Sequence, residues 1–347
     1  MRSSSVEREA VRDVENLCRM DLDSAQLQRR IGARLSRRLN ADAFCFGTMD
    51  PSTLLVTGHV TEGIPPEAAT AAAHNEYLVD DVLKFAALAR ADVRAGVLSV
   101  AVGGNPRRSH RYRALMPLID ARDELRATFV VGGLCWGGMS LYRGGRRPTF
   151  SAADAALLQR LSATIGAALR TAAHRPATGA ARGPADAGVL VLDHDLRLVT
   201  ANPAAQRWIE ELGSSGLPIA VLDVAARAQK SAAYGRVRDR SGRWISVQAS
   251  PLTGDRPASI AVLIAPAPTA EVIEILQLAY ALTRSERAVL EQVISGASSR
   301  TIAGRLFITT ATVQDHLKAI FAKVGVRSRG ELVARMLDGG FRTVAAG

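Results

Sequence analysis

Hydrophobic positions recur at helical spacing near the start of the chain, where Leu27, Ile31, Leu35 and Leu39 stand four residues apart and Arg29, Arg30, Arg34, Arg37 and Arg38 fill the remaining faces. That pattern predicts an amphipathic helix over 7–40 with a solvated arginine face. An apolar run at 43–49 meets the turn signal Asp50-Pro51-Ser52, and a second run at 53–61 completes a predicted hairpin. Alanine-rich helical segments continue to about residue 90. Strand character returns at LRATFVV and, past a Gly-Gly break, LCWGGMSLYR. A helix is then predicted over 149–173, with Leu157, Leu158, Leu161, Ile165 and Leu169 on one face.

Residues 171–188, rich in Ala, Gly and Pro without periodicity, read as a linker. Beyond it, short strands are predicted at 188–193 and 196–201, a helix opens at Asn202-Pro203, and strands follow at 235–239, 244–251 and 260–265. Pro266-Ala267-Pro268 closes this region. A helix over 271–281, with Val272, Ile275, Leu276 and Ala279 on one side, is a candidate dimer stalk or packing helix.

Start and stop signals delimit four helices in the last part of the chain. Thr283-Arg284-Ser285-Glu286 is a capping box, and Gly296 stops the helix it opens. Ser298 or Ser299 caps a second helix, and a tight Phe307-Ile308-Thr309 connection leads into a third over 310–324. The third helix places Val313, Leu317, Ile320 and Val324 on one face, toward the core, and Ser328-Arg329-Gly330-Glu331 caps a fourth. Two helices joined by so short a turn, the second apolar on one face only, make a helix-turn-helix whose exposed face is free to enter a DNA major groove.

The segment LTRSERAVLEQVISGASSRTIAGRLFITTATVQDHLKAIFAKVGVRSRGELVARM resembles the LuxR-type DNA-binding domain of bacterial transcription regulators over its whole length. The matching positions include Leu282, Thr283, Glu286, Gly296, Ile302, Ala303, Leu306, Thr312, Val313, Leu317, Ile320, Gly325 and Glu331. Upstream, CWGGMSLYRGGRRPTFSAADAALLQRLSATIGAAL and the element order before it resemble a GAF sensory domain, and GVLVLDHDLRLVTANPAAQRW resembles the start of a PAS domain. The expected fold is therefore multidomain α+β. It comprises an N-terminal helix (1–22), a GAF-like domain (23–172), a linker (173–187), a short PAS-like domain (188–267), a connecting helix (268–281) and an all-α four-helix LuxR-type domain (282–340) with its helix-turn-helix at 298–317.

The resemblance implies base reading by Gln314, Asp315 and Lys318. Many relatives carry lysine where this chain has Gln314; glutamine pairs bidentately with adenine, aspartate accepts from cytosine N4 and lysine prefers guanine. Asp315 either makes that contact or repels wrong sequences. Phosphates fall to Thr310 and Thr312, at the helix N-terminus whose free N–H groups favour anions, and to Arg300, Arg305, Lys323, Arg327 and Arg329. For Arg300 and Arg305 surface solubility is the alternative role. His316 has no partner in the sequence that makes it a proton carrier.

Composition changes this picture little. The 347 residues carry a formal charge of +11, with only four lysines among 44 basic residues, a bias that reflects base composition as much as function. Placement is more telling: residues 298–330 hold six basic side chains against one acidic, whereas 268–297 hold two against four. Cys18, Cys45 and Cys135 lie far apart, which argues against disulfides and structural zinc. The longest uncharged stretch, 127–142, is too short and too glycine-broken to span a bilayer, and MRSSSVEREA lacks an apolar signal core, so the expectation is a cytoplasmic protein without a membrane partner.

No GxxxxGK[ST] loop, receiver-type acidic pair, histidine ligand spacing or nucleophile–base set is present, so no catalytic residue, metal or cofactor is expected. Phe44, Phe46, Phe129, Trp136 and Tyr142 are either pocket lining or ordinary core of the GAF-like domain. The run Arg107, Arg108, His110, Arg111 and Arg113 is either an anion grip or a solvated loop. The expected function is a dimeric, sequence-specific DNA-binding transcriptional regulator. Its partners are double-stranded DNA with an inverted repeat, a second copy of the chain, RNA polymerase, and a small-molecule effector if the N-terminal domains sense one rather than set the dimer. The alternative is a protein-interaction module that docks on RNA polymerase or another protein without reading DNA.

Overall fold

The computed structural model describes residues 2–145, 147–175, 184, 186–213, 216–253 and 259–338. They form two compact units, one reaching from the N-terminus through Pro266 and one formed mainly by residues from Ala267 onward, with 173–175 and 242–244.

The first unit opens with α1 (Arg2–Arg19) and α2 (Ser24–Arg38). The sequence pattern over 7–40 predicts one helix, but the chain breaks between them. Asp23 takes an extended backbone and accepts from the Gln26 N–H at 2.8 Å while the Gln26 side chain returns to the Asp23 N–H, so a local capping box starts a new helix inside the apolar period. Leu27, Ile31 and Leu35 are buried as expected. Gly32 lets α2 lie on the first sheet, because a Cβ there would run into the Phe44 ring.

That sheet contains β1 (Ala43–Met49), β2 (Val56–Glu62), β3 (Ala95–Val97), β4 (Ala121–Val131) and β5 (Leu134–Gly144), ordered β2-β1-β5-β4-β3 and antiparallel at each pairing. Between β2 and β4 lie α3 (Ala68–Tyr77), α4 (Phe85–Arg90), α5 (Leu98–Ala101) and α6 (His110–Ala114). The long helix α7 (Ala152–Ala173) packs Leu157, Leu158, Leu161, Ile165 and Leu169 inward. This order of helices and strands is the one expected of the segment that resembles a GAF domain.

A second sheet is built from β6 (Gly188–Leu192), β7 (Leu198–Ala201), β8 (Ala233–Arg238), β9 (Trp244–Leu252) and β10 (Ser259–Pro266), in the order β7-β6-β10-β9-β8. Its strand order repeats that of the first sheet, each shifted by five strands. Asn202 caps α8 (Pro203–Glu211), and α9 (Ile219–Ala228) is buried along almost its whole length. The two sheets share a core: Leu55 and Ala73, from the segment that carries the first sheet, pack among Trp208, Val221, Val224 and Ile245 from the segment that carries the second. A fully buried ion pair, Asp50 to Arg236 Nε at 2.7 Å, and a hydrogen bond from Tyr77 to Asp223 at 3.2 Å join them further.

Arg111 departs from the solvated-loop reading. It is fully buried, and its Nε donates to Glu124 while its backbone N–H donates to Asp81 at 2.7 Å. Arg126 bridges Glu124 and Glu76 at 2.9 and 2.7 Å. Burial alone would raise the Glu124 carboxyl; the two guanidiniums outweigh it and hold the group at about 2. This charge network belongs to the interior, where an unpaired charge is costly.

Candidate nucleic-acid interface

The second unit contains α10 (Thr269–Ala279), α11 (Arg284–Ile294), α12 (Ser299–Leu306), α13 (Thr310–Val324) and α14 (Arg329–Asp338). Val272, Ile275 and Leu276 of α10 join the core of the four helices that follow, so the candidate stalk is a packing helix. Both signals that open α11 are present: Thr283 accepts from the Glu286 N–H at 3.3 Å, and Glu286 accepts from the Thr283 N–H at 2.7 Å. Ser298, not Ser299, caps α12. Thr309 caps α13, accepting from the Thr312 N–H at 3.1 Å, a role the sequence reading missed although a Thr three residues before another polar residue at a helix start was its signal. Gly325, at φ +73°, ends the helix in the left-handed region.

α13 therefore shows two faces. Val313, Leu317, Ile320 and Val324 are buried against α11 and α12, and Gln314, Asp315, Lys318 and Ala322 are exposed. Gln314 donates to Ser299 Oγ at 3.1 Å, and Lys318 lies 3.4 Å from Asp315 with both side chains more than three-quarters exposed. An ion pair so open to water is weak and breaks readily for another partner.

The phosphate candidates divide. Thr310 is exposed and Thr312 half-buried at the α13 N-terminus. The side chains of Arg300 and Arg327 are exposed and make no hydrogen bond to a described residue. Arg305 is exposed and reaches Gln292 at 2.8 Å, and Arg329 is half-buried and donates to the Ala297 carbonyl. Lys323 is held by its own unit, donating to both Glu286 oxygens at 2.7 and 2.9 Å and to the Ala281 carbonyl at 3.2 Å. Burial acts to raise the Glu286 carboxyl, but Lys323 and the Thr283 N–H lower it below the usual range. The Lys323–Glu286 contact ties α13 to the start of α11, and sequence spacing gave no hint of it.

Upstream, Phe44, Phe46, Phe129 and Trp136 are core, with the Phe46 and Phe129 rings 5.0 Å apart. Of the five aromatic candidates, Tyr142 lines a cavity of about 740 Å³. Among the described residues no group of His, Cys, Asp and Glu has metal-site geometry, and no helix is long and apolar enough to cross a membrane.

The family profile described as bacterial regulatory proteins, luxR family, matches residues 280–336. The spore germination protein GerE of Bacillus subtilis is 36% identical over 56 residues, a stretch that covers 16% of this chain and 76% of GerE. The chain belongs to the LuxR family of bacterial regulatory proteins. A helix-turn-helix-type transcriptional regulator of Mycobacterium tuberculosis is 48% identical over 52 residues, which is 15% of this chain but 6% of that protein, so the likeness is one of the LuxR-type domain alone. Among solved structures, the GAF domain of a phosphoenolpyruvate-protein phosphotransferase from Coxiella burnetii aligns with 47% of this chain and 92% of its own, at 17% identity and a TM-score of 0.34. The LuxR-type match spans α11 to α14 and ends at Met336, so it contains every base-reading and phosphate-binding candidate.

Proposed function

We propose that this LuxR-family chain is a cytoplasmic, sequence-specific DNA-binding transcriptional regulator acting as a homodimer on an inverted repeat. The observation that carries the reading is the exposed face of α13, where Gln314, Asp315 and Lys318 stand free of the core beside the exposed Arg300 and Arg327. A helix so presented fits the major groove: phosphate contacts fix its register and the three side chains read base edges. Two-fold symmetry of the protein would be mirrored by half-sites about one helical turn apart. In this reading Gln314, Asp315 and Lys318 read bases, while Thr310, Thr312, Arg300, Arg305, Arg327 and Arg329 hold phosphates. Lys323 serves the phosphate backbone only after exchanging its contact with Glu286, and is the weakest member of the set.

The GAF-like and PAS-like segments sense a small molecule, and the regulator acts without catalysis of its own. Binding-site selection on random duplexes with the full chain tests the function. A palindromic motif whose preference changes in Gln314→Ala is the expected result. If no motif is enriched and the chain instead co-purifies with RNA polymerase, the protein-docking alternative replaces this reading.

A further inference from the structure

α9 is an apolar helix buried on nearly every side, flanked by α3, β2, β8 and β10, yet it carries one carboxyl, Asp223. Its only hydrogen bond among the described residues comes from the Tyr77 hydroxyl, at 3.2 Å. Among the described residues no ion pair reaches it. The buried Arg126 is committed to Glu124 and Glu76, and Arg227, one turn further along α9, donates to the Thr53 carbonyl. Burial raises the Asp223 carboxyl to about 8, with the like charge of Glu76 adding to it and the Tyr77 hydroxyl opposing it. A buried acid without a counter-ion is a functional-site signal when it faces a cavity.

Asp223 does face one. A cavity of about 740 Å³ is walled on one side by the GAF-like segment, through Val56, Ala69, Tyr77 and Tyr142, and on the other by the PAS-like segment, through Leu222 and Asp223. Its size lies within the range of small-molecule sites, and its lining, mainly apolar with a few convergent polar groups, is that of such sites. Tyr77 and Tyr142 line the cavity together with Glu76, Arg126 and Arg197, the two arginines being already paired with carboxylates. An ammonium group beside Asp223 would supply the missing counter-charge, and the apolar walls would take a hydrocarbon or aromatic body. A neutral hydroxyl supplies no counter-charge and leaves Asp223 a protonated acid, whereas an ammonium group favours its charged form and gains an ion pair.

We propose that this cavity is an effector site shared by the GAF-like and PAS-like segments and that it binds a small organic amine, with Asp223 and Tyr77 holding the ammonium group. The proposal rests on the sensing part of the proposed function and is independent of how α13 reads DNA. Filling the cavity would bridge α3 and α9 and so couple the two segments.

The test is isothermal titration of the full chain with benzylamine, phenethylamine and tryptamine, each beside the alcohol that replaces its amino group by hydroxyl. At least one amine is expected to bind ten-fold or more tightly than its alcohol at neutral pH. That preference should vanish in Asp223→Asn, and Ala69→Phe, which fills the space without touching the carboxyl, should abolish binding of amine and alcohol alike. Equal binding of amines and alcohols, an amine preference that survives in Asp223→Asn, or no binding by any of the six would overturn the proposal. Because the readout is direct binding without DNA, its failure leaves the DNA-binding reading standing, and loss of the selected DNA motif would leave this one standing.

Discussion

Removing the carboxylate of Asp50 should uncouple the two sheets of the first unit. Asp50 directly follows β1 and Arg236 lies in β8, 186 residues away, and both side chains are fully buried with Asp50 Oδ2 2.7 Å from Arg236 Nε. Asp50 Oδ1 also accepts from the Ser52 N–H at 2.9 Å, fixing the turn that delivers Leu55 into the shared core. Truncating one member of a buried pair leaves the other charge without compensation, which costs about 3–5 kcal/mol. For urea unfolding with a slope of about 2–3 kcal/mol per molar, that is a midpoint shift of about 1–2.5 M for Asp50→Ala.

Trp136 in β5 and Trp208 in α8 are both buried, one in the first sheet and one in the helix packed with the second, so fluorescence reports on both halves. If the loss comes from the stranded guanidinium rather than from the turn, the double variant Asp50→Leu with Arg236→Met should regain most of it, since apolar replacements of a buried pair are often neutral or stabilising. A shift below about 0.3 M for Asp50→Ala would refute the reasoning, because a pair that costs so little to break is solvated, and solvation there is incompatible with the shared core.

Other expectations concern the site and the titrating groups. Gln314→Ala should lose about 1–3 kcal/mol at one base pair of each half-site, while Arg327→Ala should weaken all sequences alike and reduce the salt slope by about 1, both read by quantitative mobility shift over a salt series. Glu124 and Asp81, each held at about 2, and the depressed Glu286 bind fewer protons folded than unfolded, so their stabilisation is complete above their usual values and is lost as pH falls from about 4.5 towards 2; acid unfolding by circular dichroism checks this. Asp223 runs the other way: raised to about 8, it keeps its proton in the folded chain, so its contribution declines as pH rises from about 4 to 8, and Asp223→Asn should flatten that slope in thermal unfolding. Phe307 ends α12 at φ +56° and is 94% exposed, so Phe307→Gly should raise the stability of the second unit by about 1 kcal/mol in chemical denaturation.

What sequence reveals here follows the range of the forces involved. The helix-turn-helix was legible because each of its determinants acts within four residues: Thr283 with Glu286, Ser298 with Thr301, and the i, i+4, i+7 apolar face of α13. The hairpins followed from Asp50-Pro51 and Gly132-Gly133 for the same reason. The break before α2 was missed because a three-residue capping box competed with a longer apolar period and won. Asp50 with Arg236, Tyr77 with Asp223, and Lys323 with Glu286 were not legible at all, since their partners are 186, 146 and 37 positions apart and share no pattern.

The same distinction decides what the positive charge means. Arg111, Arg126, Arg143 and Arg236 are buried and each faces a carboxylate, Arg143 also donating to the carbonyls of Leu39, Pro148 and Thr149. None of these four is available to a nucleic acid, yet each adds to the formal +11. A bulk charge therefore counts interior structure as if it were surface. The stretch 298–330 differs because Arg300, Arg305, Lys318, Lys323 and Arg327 are all exposed and Asp315, its one acid, is exposed among them. Counterion release on DNA depends on cations that can reach phosphate. Neutralising any two of Arg300, Arg305 and Arg327 should thus flatten the salt dependence of DNA binding by about 2 in slope, whereas replacing a buried arginine should change stability and leave the slope of the folded fraction unaltered.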